Sequence, residues 1–308
     1  MNEGPETAPL VSVVIPTFNR AQDLRRCLDS LVAQSFKKFE VLVCDDGSTD
    51  NSESVAQEYC ARLDLRFETA ENFGGPARPR NRGISLARGS YVAFLDSDDW
   101  WAPEKLTLSV ERLEKGAEVV YHDMFLARHI GQEHFPDQLV SSEPRSTMFD
   151  SLLCCGMSIP NSSVVVRKEL LERIGGISED TSLISVEDYD TWVRIALTTD
   201  RFQRIAMPLG YYWAGGGNIS AASPKQMSRI KVLYSQYVGL LPQNRQAVAF
   251  GFLEYRIARI AQQIGDWETA ANGFAKAMRS SIEMKTRLKA LLFFALCRVR
   301  AHGTNDNR

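Results

Sequence analysis

Three carboxylates stand within four residues at Asp96-Ser97-Asp98-Asp99, directly after the apolar run Tyr91–Leu95. Like charges that close repel, and each raises its neighbour's pKa. A hard divalent cation such as Mg²⁺ or Mn²⁺ removes that penalty, because it takes oxygen ligands and bridges carboxylates to phosphates. The segment therefore points to a metal–diphosphate site. The plainer alternative is a solvated acidic turn, with Asp98 or Asp99 capping a helix that starts near Pro103.

Three more polar clusters follow apolar runs or open a helix. Pro16-Thr17-Phe18-Asn19-Arg20 follows Leu10–Ile15, and Asp45-Asp46-Gly47-Ser48 follows Phe39–Cys44. Glu187-Asp188 sits in SVEDYDTWVRIA at the start of a helical pattern, where the helix N-terminus favours a carboxylate. The stretch GGPARPRNRG carries Arg78, Arg80 and Arg82, and a glycine turn with arginines at a helix start suits a phosphate or a base edge. A dehydrogenase-type GxGxxG and a phosphate-loop GxxxxGK[ST] are both missing after the first apolar run. A receiver-type signalling domain also uses a paired Asp, but it leaves the other acidic clusters unexplained.

The elements that must position these residues alternate in the first half. Apolar runs at 10–15, 39–44, 65–68, 91–95 and 118–121 read as strands. Leu24, Cys27, Leu28, Leu31 and Val32 recur at i, i+3, i+4, i+7 and i+8, one face of a helix. Further helices are expected over 50–63, 74–88 and 103–114. This βαβα order predicts an α/β fold with a Rossmann-type, mostly parallel sheet flanked by helices. In a parallel sheet the strand-end clusters share one edge and can line one crevice. The middle is less regular: a loop over 131–145, strands at 162–166 and 202–207, and helices at 167–174 and 188–197. Trp100-Trp101 reads equally as a sugar-stacking pair or as core anchors.

Past about Ser223 the pattern is helical only, over 227–241, 247–264, 267–278 and 285–299. ARIAQQIGDWETAANGFAKAM has the rhythm of one tetratricopeptide-like hairpin, with Gly265, Ala270, Phe274 and Ala277 at the key places. A single copy is not an array, so a two-helix appendage is the simpler reading. In the last helix, Leu291–Leu296 is flanked by Lys285, Arg287, Lys289, Arg298 and Arg300. It reads either as a basic-apolar helix lying on an anionic membrane surface or as the helix that closes the bundle. The division expected is a disordered N-terminus over 1–9, a catalytic domain over 10–222 and a helical region over 223–308.

Composition sets outer limits. Hydrophobic residues make up 44% and charged residues 24% of 308, ordinary for a globular protein, and the net charge of −2 gives no reason for a nucleic-acid partner. The N-terminal MNEGPETAP lacks the layout of a signal peptide, and no run approaches the roughly 18 apolar residues of a membrane span. Six cysteines without metal spacing read as reduced thiols. The expected location is cytoplasmic, with peripheral contact at the inner face of the membrane if the last helix binds lipid.

VSVVIPTFNR, VLVCDDGSTD, ARPRNRGISLARGSYVAFLDSDDWW and VEDYDTWVRIA, in that order, resemble the motifs of the inverting family 2 glycosyltransferases with the GT-A fold. The resemblance covers roughly residues 10–220. It implies a metal-dependent transferase that moves a sugar from a nucleotide-sugar donor, a UDP- or dTDP-sugar, to a hydroxyl of a glycan, lipid-linked or protein acceptor. It also implies that Pro16, Thr17, Asn19 and Arg20 line the nucleotide pocket, that Asp46 or the adjacent Asp45 holds the base, and that Arg80 lies near base or diphosphate. Asp96 and Asp98 form the DxD: Asp98 contacts Mn²⁺ or Mg²⁺, and Asp96 faces ribose or metal. Asp188 matches the catalytic base, with Glu187 orienting it or the acceptor. One base without an enzyme nucleophile implies inversion by single displacement.

One departure stands out. Many members carry a histidine-containing segment after the last sheet strand, and here Tyr211–Ser220 has none. Asn218, Ser220 or a glycine loop over 215–217 are the substitutes on offer. This absence is the feature that favours the alternative of a catalytically inactive nucleotide-sugar-binding or partner-docking protein.

Overall fold

The computed structural model describes residues 8–217 and 219–305, with side chains through Arg300. The expectation for residues 1–9 falls largely outside these, as does Asn218. The chain divides into two compact units. One takes the chain up to Glu143, Ser158–Glu179 and Glu187–Gly216; the other takes Pro144–Met157, Asp180–Val186 and everything from Gly217 on.

The first unit is a sheet with helices. Its elements are β1 (Val11–Thr17), α1 (Ala21–Val32), β2 (Phe39–Asp45), α2 (Ser52–Gln57), β3 (Leu65–Thr69), α3 (Ala77–Leu86), β4 (Tyr91–Phe94), β5 (Trp100–Trp101), α4 (Lys105–Glu114), β6 (Val119–Ala127) and β7 (Gln138–Leu139). The second unit inserts α5 (Met148–Cys154), after which β8 (Val165–Arg167), α6 (Lys168–Arg173), α7 (Glu187–Ala196) and β9 (Phe202–Trp213) complete the first. Strand order is β3-β2-β1-β4-β8-β6-β9-β5, with β7 on β6. β3, β2, β1 and β4 run parallel, as does β6 with β9. The other pairings, β4–β8, β6–β8, β6–β7 and β5–β9, are antiparallel, so the α/β sheet is mixed.

Burial on both faces explains the near-continuous apolar runs of β1 and β2, in which every residue is buried. Val13, Ile15, Val41, Val43, Ala93 and Leu95 point one way, into a core with Leu24, Leu28 and Leu31 of α1. Val14 points the other way, against α3, where Gly83 lets helix and strand touch. A Cβ on Gly83 would stand 2.4 Å from Val14 Cγ1. Gly83→Ala is therefore expected to cost about 1–3 kcal/mol by overpacking, read as a lower urea midpoint at unchanged slope.

The acidic segment does not cap a following helix. β5 intervenes, and α4 starts at Lys105 with Glu104 at its cap position. β5 and β7 have only two residues each, too few to register as periodicity. β9 runs further than the 202–207 expected from sequence because it continues past an irregularity opposite Asp123, where Pro208 interrupts a regular ladder.

The second unit is helical: α5, then α8 (Pro224–Tyr237), α9 (Gln243–Gln263), α10 (Trp267–Arg279) and α11 (Met284–Asn305). Asp150 of α5 receives both Nε (2.5 Å) and a terminal nitrogen (2.6 Å) of Arg245 from α9. The α9–α10 hairpin turns at Gly265, whose φ of 79° favours glycine. Ala270, Phe274 and Ala277 are all fully buried. No helix among the described residues is long and apolar enough to cross a membrane.

Candidate active site

Parallel strands bring three of the clusters to one edge of the sheet. Thr17 pairs with Asp45 in register, and Leu95 N–H donates to Val14 O, which sets the acidic loop beside the end of β1. Two bonded groups form there.

Arg80 builds the first. It lies on α3, 4% exposed, and its two terminal nitrogens donate to different elements: one to Glu187 Oε1 at 2.6 Å, the other to Asp96 Oδ1 at 2.7 Å. The loop after β4 and the start of α7 are thus clamped by one guanidinium. Planar, forked geometry is what spans two carboxylates. Asn161 Nδ2 adds a second donor to Asp96 Oδ1 at 3.1 Å, and Asp96 N–H donates to Ser162 Oγ. The neighbouring carboxylates hold Arg80 firmly protonated against the cost of its burial. Removing it leaves two acids facing each other without a counter-charge. Arg80→Met is therefore expected to cost about 3–5 kcal/mol, measured by urea unfolding without ligand.

The acids of this group differ in environment. Asp188 is half-buried, and burial, followed by the charge of Glu187, pushes its pKa up to about 7 against the pull of Arg80. Its Oδ1 accepts from Tyr189 N–H at 2.7 Å. Glu187 is 3% exposed, and its Oε2 has no hydrogen-bond partner. Burial, then Asp96, raises Asp98 to about 6, opposed by Arg20 at 3.7 Å. Asp99 is pushed higher by burial and by both neighbours; its Oδ1 accepts from Trp213 N–H at 2.8 Å, so it ties the acidic loop to β9.

The second group gathers Asn19, Asp45 and Asp46 with Thr17. Asp45 Oδ2 accepts from Gly47 N–H, Ser48 N–H and Thr69 Oγ1, and Oδ1 accepts from Ser48 Oγ. Asp46 accepts from the N–H groups of Phe73 and Gly74, and its own N–H donates to Thr17 O. Asn19, at a left-handed φ of 50°, donates its N–H to Ser48 Oγ and accepts from Thr49 N–H. These residues brace the loops after β1, β2 and β3. Pro16 and Thr17 are buried, and Thr17 Oγ1 has no partner. Arg20 bonds Asp23 and faces Asp98, joining this group to the acidic loop.

Several contributors escaped sequence reasoning. Arg26, on α1, donates to the Asp98 carbonyl at 2.7 Å, with its guanidinium over the rings of Trp100 and Trp213. In the sequence its helix shows only through the apolar face. Asn161 and Ser162 precede an apolar strand, and their polarity was the one available signal. The tryptophans separate: Trp101 is core, donating Nε1–H to Ser162 O, whereas Trp100 is half-buried and stacked on Tyr211. In the histidine-free segment, Gly215 lies against the Trp213 ring, leaving no room for a side chain, and Ser220 is exposed. His122 is buried and held neutral, its pKa pushed down to about 3 by burial and by Lys105.

No group of three or more His, Cys, Asp or Glu among the described residues is placed to hold a metal by itself. The donor set still suits Mg²⁺ or Mn²⁺. Such ions keep waters and substrate phosphates as ligands and need only one or two carboxylates. Asp98 and the Asp96 oxygen not bonded to Arg80 are hard donors, and their mutual repulsion is what a cation relieves.

A mixed α/β sheet with helices on it, and carboxylates gathered at one edge of that sheet, agree with a GT-A-type transferase. The model of glycosyl transferase family 2 matches residues 12–174, over half of the chain, and the protein belongs to that family. The amylovoran biosynthesis glycosyltransferase AmsB of Erwinia amylovora is 32% identical over 213 residues, covering 65% of this chain and 68% of its own. WfaP of Escherichia coli, a UDP-Glc:α-D-GlcNAc-diphosphoundecaprenol β-1,3-glucosyltransferase, is 28% identical over 222 residues, covering 71% and 83%. S. aureus TarS 1–349 in complex with UDP superposes with a TM-score of 0.65 at 21% identity, over 97% of this chain and 92% of that one. The mannosyltransferase PcManGT of Pyrobaculum calidifontis, solved with GDP-Man and Mn²⁺, gives 0.61 at 21% identity, over 95% and 81%. The two structures speak to the fold.

Proposed function

We propose that this glycosyltransferase is metal-dependent and inverting, and that it uses a UDP- or dTDP-sugar. The observation that carries the reading is the Arg80 clamp, whose buried guanidinium joins Asp96 of the acidic loop to Glu187, the neighbour of Asp188. Asp96 and Asp98 would hold a divalent cation, whose chemistry is to stabilise charge on the departing nucleoside diphosphate. Thr17, with an unpartnered buried hydroxyl, and Asp46 or Asp45 bind the nucleotide base and ribose; Pro16, Asn19 and Arg20 shape the pocket wall. Asp188 takes the proton of the acceptor hydroxyl as that oxygen attacks the anomeric carbon. A pKa near 7 suits this task, because a base poised near working pH couples availability to basicity. Glu187, fixed through one oxygen by Arg80, keeps the other free to orient the acceptor or the base. With Asp188 read as the base and no covalent role given to another side chain, the reading is a single displacement with inversion.

The acceptor is a hydroxyl of a glycan, lipid-linked sugar or protein. The E. coli relative's lipid-diphosphate acceptor and the Erwinia relative's role in amylovoran biosynthesis favour the first two. The test is transfer from a panel of nucleotide sugars with Mn²⁺ or with EDTA, the product's anomeric configuration being read by NMR. Metal-dependent transfer with an inverted anomeric centre is expected; retention, or full activity in EDTA, overturns the mechanism.

A further inference from the structure

α11 buries one face and leaves the opposite face bare. Ala290 and Cys297 are fully buried and Phe293 half-buried, its ring 5.6 Å from that of Phe274 on α10. On the far side Met284, Leu288, Leu291, Leu292, Leu296 and Val299 are between 49% and 74% exposed. At 3.6 residues per turn these six form a single stripe, running the length of the helix and opposite the buried face. Arg287 and Arg298 border it on one side, Lys285, Lys289 and Arg300 on the other, and Met284–Asn305 contains no acidic residue. An exposed apolar stripe of this length is a contact surface rather than scattered surface residues.

We propose that this face docks on an anionic phospholipid membrane, with the helix lying in the plane of the interface. Leucines enter the acyl boundary while long basic side chains on both borders reach headgroup phosphates. The charge pattern selects this occupant over a second copy of the chain. Two such faces packed together would bury leucines but oppose basic borders with no acid between them. The helix is not long and apolar enough to cross the bilayer, so contact is peripheral. The inference does not depend on donor chemistry, since lipid binding needs neither nucleotide nor acceptor.

The experiment is co-sedimentation of the full chain with vesicles of phosphatidylcholine alone or with about one-third phosphatidylglycerol. Three proteins are compared: wild type, Leu288→Gln/Leu292→Gln/Leu296→Gln, and Lys285→Gln/Lys289→Gln/Arg300→Gln. All six positions are exposed on the helix, and unchanged melting temperatures verify intact folding. Wild type is expected to bind the anionic vesicles at least tenfold better than neutral ones, and to be released by salt. Both variants should lose at least tenfold. Absence of wild-type binding overturns the proposal, as does binding that survives the leucine changes. It is equally overturned if light scattering shows a wild-type dimer that the leucine variant abolishes, since the stripe is then a protein interface.

Discussion

Asp188→Asn is expected to lower kcat by about 10²–10⁴-fold while leaving nucleotide affinity unchanged. The substitution keeps the side-chain oxygen that accepts from Tyr189 N–H, so local geometry survives, and it removes the ability to take a proton. Binding by calorimetry, set beside initial rates, separates the two effects. Wild-type pH dependence should follow from the same residue. With a folded pKa near 7, Asp188 is protonated below that value and cannot serve as base. kcat/KM should therefore fall about tenfold per unit as pH drops below 7, and level off above it. The groups acting on Asp188 predict how the limb moves. Glu187 raises its pKa, so Glu187→Gln should shift the limb to lower pH. Arg80 lowers it, and Asp96 adds a smaller upward push. An acid limb that stays in place in Glu187→Gln would assign the titration to another group, and normal turnover in Asp188→Asn would place the base elsewhere.

Asp98→Asn should abolish metal-dependent nucleotide binding. A ligand that binds only the native state raises the melting midpoint by mass action, about 2.7 kcal/mol of stabilisation at a hundred times Kd. Wild type with UDP and Mn²⁺ should show that shift, and the variant should show none at the same concentrations. Without ligand the variant should melt no lower than wild type. Asp98 lies close to two other carboxylates, its arginine partner is 3.7 Å away, and an amide removes that repulsion. On the proposed reading, function draws on a locally unfavourable charge cluster, a familiar trade against stability. Retained Mn²⁺-dependent UDP affinity in the variant would refute the metal assignment.

Parallel strands explain why so much was readable. Fully buried β1, β2 and β4 require continuous apolar runs, and a run that stops on Pro16-Thr17, Asp45-Asp46 or Asp96 announces a strand end at one edge of the sheet. Helix signals at α1 and α10 were legible for the same reason, since each buries one face at regular spacing. Motif order then carried the family. What stayed hidden depends on contacts between residues far apart in the chain. Arg80 meets Glu187 across 107 positions, and Trp213 N–H meets Asp99 across 114. No local pattern marks such pairs. Nor could sequence show that Asp45 and Asp46 both spend their carboxylates on backbone N–H groups of the neighbouring loops, or separate core Trp101 from half-buried Trp100 one residue away. The residue types that do chemistry were written in the sequence; tertiary structure decided which carboxylates are clamped, which are buried with raised pKa, and which face of the last helix stays bare. Charge and burial at a site depend on what the fold packs around it, and neighbours along the chain do not report that.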